Sequence, residues 1–203
     1  MTNRGGSDIM DTNTIVIIIN GVQQSGKDTF VEFITNYCDM YECANVLNLS
    51  SVDPIKRTLE SFGWDGNKSE EVRNIIAGIK KIWSDAQNGP TMFMMNNILQ
   101  YHITHTGEDN IVFCHIREPE EIKKLSDIIN GMHVVGIKLV SIFINRDGSI
   151  DMNSRKSDNY EDISKYEYDV ILHNNGALAD WKYKAEEFIK GIIKEDMDNE
   201  GSN

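Results

Sequence analysis

Proline is scarce in this chain, with only three residues in 203, and cysteine is equally sparse at three. Cys38, Cys43 and Cys114 form an odd set without metal-like spacing, which argues for reduced thiols and against a disulfide framework, and no chemistry is assigned to them. Positive charge is also in deficit: 20 Lys and Arg face 32 Asp and Glu, a formal net charge of −12 with a pI near 4.8. Broad contact with a nucleic-acid backbone needs the opposite balance, so the expected partner is not DNA or RNA. A small anion remains compatible if basic side chains gather locally. Long apolar runs are missing as well: nothing approaches the roughly 20 residues of a membrane span, and the polar opening lacks the apolar core of a secretory signal. The expectation is a soluble, cytoplasmic protein.

A hydrophobic content of 40% suffices for one substantial core. Residues 1–13 and 195–203 are polar and read as flexible tails, the second acidic, around a single domain over 14–194. Ile15 to Ile19 is an unbroken β-branched run suited to the centre of a parallel sheet. Phe30, Phe33, Ile34 and Tyr37 then recur at helical spacing. Further strands are expected at 44–49, 111–114, within 134–144 and at 170–172. Helices are expected after Asp53-Pro54, with Asp53 as N-cap, over the Val72 to Trp83 stripe, from Pro90, from Pro119 to a stop at Gly131, and from Leu178 onward. Such alternation predicts an α/β fold in three layers, with a mainly parallel sheet of about five strands and ligands at the strands' carboxyl ends.

Between the first strand and its helix lies Gly21-Val22-Gln23-Gln24-Ser25-Gly26-Lys27-Asp28-Thr29, a glycine followed after four residues by Gly-Lys. This is the spacing of a P-loop, in which backbone N–H groups wrap a polyphosphate, Lys27 adds mobile positive charge, and the following helix directs its positive end at the same anion. Gly21, Gln24, Ser25, Gly26, Lys27, Asp28 and Thr29 are therefore the candidate nucleotide-binding residues, with ATP as the ligand. Asp28 stands where a hydroxyl residue usually meets Mg²⁺. A carboxylate there either ligates the ion or serves as a helix cap.

The string Ser25-Gly26-Lys27-Asp28-Thr29 resembles the phosphate loop of phage deoxynucleoside monophosphate kinases, a group similar to animal-type phosphomevalonate kinases. Asp53-Pro54-Ile55-Lys56 resembles that family's acceptor-side segment. The stretch from Val112 to Arg117, with Glu118-Pro119-Glu120-Glu121 behind it, resembles a strand ending in Asp-x-Arg, and His173 to Leu178 resembles an Asn-x-Gly-x-Leu segment. The resemblance implies a P-loop NTPase fold with a mobile lid near 145–169, ATP and Mg²⁺ as cofactors, and a deoxynucleoside monophosphate as acceptor. It also implies a homodimer, and the host cytoplasm as the location if the chain is phage-encoded.

Lys27, Arg117, Arg146 and Arg155 become candidate catalytic residues, because phosphoryl transfer calls for positive charge around the moving group. Arg117 has the alternative of an ion pair with Glu120 or Glu121. The lid arginines share their stretch with several carboxylates and are equally readable as solvated. Asp53, Lys56, Arg73, His115 and Arg117 are candidate acceptor contacts, with Arg73 and Lys80 on one helix face. Asn175 and Gly176 are candidates for the adenine side. His115 departs from the family pattern by replacing its acidic residue, and a structural role for this histidine stays open.

Overall fold

A computed structural model describes residues 13–67, 69–132, 134–147 and 166–200. Among the described residues, the elements run in the order β1 (Thr14–Gly21), α1 (Lys27–Tyr41), β2 (Asn45–Ser50), α2 (Asp53–Ser61), α3 (Glu70–Gln87), α4 (Gly89–Thr104), β3 (Asn110–His115), α5 (Pro119–Met132), β4 (Ile137–Asn145), β5 (Val170–His173) and α6 (Leu178–Glu200). The five strands form one sheet in the order β2-β3-β1-β4-β5, with every neighbouring pair parallel.

β1 is buried along its whole length because both of its faces are covered. Alternate residues serve opposite cores, as the pleat requires. Ile15, Ile17 and Ile19 face α1 and α6, meeting Phe30, Ile34, Trp181 and Ile189. Val16 and Ile18 face α4 and α5, meeting Met94, Ile98, Ile122 and Leu125. The β1 connection thus leaves by one face of the sheet, and the connection from its neighbour β3 leaves by the other. Adjacent strands whose connections diverge open a crevice at their carboxyl ends, which is where this architecture binds ligands.

Three local expectations need correction. Asp53 is not the N-cap of α2: Val52 occupies that position, and the Asp53 carboxylate turns back to accept the Ser50 N–H at 2.7 Å. Gly131 does not end α5, which runs through Met132, and the left-handed turn before β4 is made at Gly136 (φ 79°). The final helix continues to Glu200, past the boundary expected at 194. The Val72 to Trp83 stripe is helical as expected, but Ile75, Ile79 and Ile82 are exposed, so periodicity located the helix without locating its burial.

Candidate functional site

Strand register brings three chain segments to one edge. Ile19 pairs with His115, Ser50 pairs with His115 on its other side, and Gly21 pairs with Ile144. The loop after β1 therefore opens beside the ends of β2, β3 and β4.

The two glycines of the loop are required by what surrounds them. Gly21 has φ 148° and a Cβ there would lie 2.3 Å from the Ile144 carbonyl oxygen; Gly26 has φ 92° and a Cβ would lie 2.4 Å from Asn174 Nδ2. Both combine a conformation disfavoured for other residues with a close approach that only hydrogen permits. Gln24 also lies in the left-handed region, at φ 61°. The loop carbonyls are held from behind: Asn174 Nδ2 donates to the Ser25 oxygen at 2.9 Å, and Trp181 Nε1 donates to the Gly26 oxygen at 3.1 Å. The Gly26 oxygen also accepts the Phe30 N–H at 3.0 Å, which fixes it at the start of α1, and a helix start is where backbone N–H groups can meet an anion. Lys27 folds back over the loop, its Nζ donating to the Gly21 and Val22 oxygens at 2.6 and 2.8 Å. The Lys27 ammonium therefore lies over the loop that leads into α1.

Asn20, which sequence reasoning passed over, links this loop to two neighbours. It is fully buried; its Oδ1 accepts the Gly21 N–H at 2.8 Å, and its Nδ2 donates to the Arg117 carbonyl at 2.9 Å and the Tyr168 hydroxyl at 2.8 Å. A polar residue closing an otherwise apolar strand was the available signal. Asn174 and Trp181 had no comparable signal for their bonds to the loop, since Trp181 reads simply as part of the α6 core stripe.

The acceptor-side candidates divide. His115, Asp28, Asp53 and Lys56 cluster: His115 Nδ1 lies 4.0 Å from the Asp28 carboxylate, and Lys56 Nζ donates to Asp53 Oδ1 at 3.3 Å. Burial is the main influence on His115 and lowers its pKa to about 4, with Asp28 opposing and Lys27 reinforcing, so the ring is neutral near pH 7. Its Nε2 is buried without a hydrogen-bond partner among the described residues. Arg117 is exposed just beyond β3, with its backbone anchored by Asn20. Of the two carboxylates expected as alternative partners for Arg117, Glu120 and Glu121, the second is paired with Lys80 at 2.8 Å, and Lys80 also pairs with Glu118. Lys80 is thereby committed to holding α3 against the start of α5 instead of joining Arg73 in a phosphate pocket. Arg73 is half-buried near the start of α3, which packs on α2 and α4.

Arg146 is exposed after β4, while Arg155 and most of the expected lid lie outside the described residues. At the base of that segment Asn175 is engaged with Asp147, accepting its N–H at 2.9 Å and donating to its carboxylate at 2.7 Å. Gly176 packs against Asp180, where a Cβ would come within 2.8 Å of the carboxylate. Asp28 is open to solvent at the loop mouth. Mg²⁺ accompanying a nucleotide needs only one or two protein carboxylates beside phosphate oxygens, which Asp28 satisfies. Among the described residues no group of three or more His, Cys, Asp or Glu forms a resident metal site.

Neither a protein-family model nor a curated protein sequence matches the chain. Solved structures do match in shape. The APS kinase of Mycobacterium tuberculosis in complex with AMPPNP and APS superposes with a TM-score of 0.51 at 12% identity, covering 91% of this chain and 99% of the other. A variant of the same enzyme superposes at 0.50, with the same identity and coverage. Strand order, helix layers and loop together give the chain a P-loop NTPase fold, the three-layer α/β architecture seen in these kinases. Among the described residues no helix is long and apolar enough to cross a membrane.

Proposed function

We propose that this chain is an ATP-dependent phosphotransferase acting on a small phosphorylated acceptor, a deoxynucleoside monophosphate in the first instance. The observation that carries the reading is the loop itself: Gly21 and Gly26 in conformations and contacts closed to other residues, with Lys27 folded back over it. The acceptor assignment rests on the resemblance and on Asp53, Lys56 and His115 lying beside Asp28 at the ends of β2 and β3. A structural neighbour in complex with a triphosphate analogue and a second small ligand supports a crevice of this kind holding both.

In the proposed reaction an acceptor phosphate oxygen attacks the γ-phosphorus as the bond to the β-phosphate oxygen breaks, and ADP leaves. Negative charge on the moving group is met by Lys27 from the loop and by Arg117, with Arg146 and Arg155 as further proposed sources of positive charge. Mg²⁺ bound with the nucleotide supplies further charge neutralisation, with Asp28 as its protein ligand. Asn20 holds the loop and the Arg117 backbone at fixed separation. Asn175 and Gly176 border the nucleotide. The proposed setting is cytoplasmic, and the assembly a homodimer.

Release of ADP, measured across a panel of deoxynucleoside monophosphates and phosphomevalonate, tests the proposal. Acceptor-dependent turnover is expected, and Lys27→Ala should lower it by about 100-fold or more. Unchanged ATP binding in Lys27→Ala would refute the assignment of the loop. A second reading, a nucleotide-binding protein without transfer, is favoured by His115 in place of the family's acid. Tight ATP binding with no turnover on any acceptor would select it.

A further inference from the structure

The far end of α1 brings together two thiols that phosphate chemistry does not use. Glu42 adopts a left-handed conformation directly after the helix (φ 49°), and the Cys43 N–H donates back to the Cys38 carbonyl at 3.2 Å. This is the six-to-one bond of a Schellman turn, which lays the second residue beyond the helix end against the residue one turn back inside it. Here both are cysteines. Cys38 is wholly buried in the core shared by α1 and α6, and Cys43 is half-buried against the same cluster. Burial, reinforced by the nearby Cys43, pushes the Cys38 pKa up to about 12. A disulfide needs Cα atoms roughly 4.4–6.8 Å apart and side chains directed at one another, and the side-chain contact that accompanies a Schellman turn joins these same two positions.

We propose that Cys38 and Cys43 are a dithiol site that reacts with low-molecular-weight disulfides of the glutathione class and closes to an intrachain bridge. Cys43, the accessible member, attacks as thiolate; the reagent's S–S bond breaks, one glutathione leaves as thiolate, and the other stays on Cys43. The Cys38 sulfur then displaces the second glutathione, which leaves as a thiol carrying the Cys38 proton. Two protein thiols are oxidised, and one glutathione disulfide is reduced to two thiols. Burial keeps Cys38 from external reagents while leaving it in contact with Cys43, so its part is the second step. Cys114 is fully buried within β3 and serves as an internal control.

The folded full-length protein is treated with oxidised glutathione, then examined by intact mass and by peptide mapping without reduction. The expected product has lost two hydrogens, links Cys38 to Cys43, keeps Cys114 free and melts a few degrees higher, and dithiothreitol reverses all of this. In Cys38→Ser the reaction should stop with glutathione retained on Cys43. A wild-type protein that likewise retains glutathione on Cys43, leaves both thiols free, or links chains through Cys43 would overturn the proposal. ATP binding of the reduced protein, measured alongside, is independent of either result.

Discussion

Trp181 tests whether the phosphate loop is held open by the helix behind it. Trp181→Phe keeps an aromatic ring near Phe30, whose centroid lies 5.0 Å away, but removes the Nε1 donor to the Gly26 oxygen. That oxygen also accepts the Phe30 N–H at 3.0 Å, so it is not orphaned, and the lost bond should cost about 1 kcal/mol. Trp181 is only 2% exposed, and the smaller ring leaves a void costing roughly another 1 kcal/mol. A total near 2 kcal/mol corresponds to a fall of roughly 4–8 °C in melting temperature for a domain of this size. Held by the Phe30 N–H alone, the Gly26 peptide is less firmly oriented, which should also weaken ATP binding by roughly 3- to 10-fold, equivalent to about 1 kcal/mol. The control is Phe188→Leu, which disturbs the same α6 core beside Phe30, at 5.5 Å, without touching the loop. Calorimetric titration with ATP should separate the two variants although both are destabilised. Equal ATP affinity in Trp181→Phe and Phe188→Leu would refute the idea that α6 orients the loop.

Gly26→Ala should reduce the ATP-induced thermal shift at least tenfold in apparent affinity and cost roughly 2–4 kcal/mol, because its Cβ meets Asn174 in a left-handed conformation. Gly78→Ala in α3, whose Cβ meets nothing within 4 Å, should instead stabilise by about 0.5–1 kcal/mol. His115 has its folded pKa lowered from 6.5 to about 4, so its contribution is complete above pH 6.5 and is lost as pH falls toward 4. Urea melts across that window should show a loss of roughly 2–3 kcal/mol that flattens in His115→Asn. Removing the buried Lys80 cation strands Glu121, so Lys80→Ala should cost about 3–5 kcal/mol in urea titrations, while Lys80→Met combined with Glu121→Leu should recover most of it.

The strands and the loop were legible because their signals are local. A β-branched run at residues 15–19, a glycine-lysine spacing and a helical stripe behind it each declare themselves within a few residues, and their order imposes the parallel sheet. The machinery that makes the loop rigid is not local: Ser25 is held by Asn174 and Gly26 by Trp181, at sequence separations of 149 and 155. No window of sequence contains both partners. Charge was misread for a related reason. Lys80 and Arg73 share a helical repeat that suggests a common phosphate ligand, yet Lys80 points into a carboxylate pair supplied by the start of α5, a pairing set by packing.

The dithiol turn was hidden differently, since it spans only Cys38 to Cys43 and lies within reach of local reasoning. Its left-handed residue is Glu42, and helix ends of this type are usually announced by glycine or asparagine. With that marker absent, cysteine spacing could be judged only against metal and disulfide frameworks, and it matched neither. The physical requirement is narrower than those frameworks: a turn that reverses the chain over six residues places the side chains at its ends against each other whatever they are. Cysteine at both ends makes the contact chemical as well as apolar. The bridge should therefore form without displacing Phe30, Ile34 or α6, which pack on the same core. Amide hydrogen exchange in α1 should show protection gained in its last turn alone; protection gained throughout the helix would mean that the bridge rearranges the core and that the turn is not already closed.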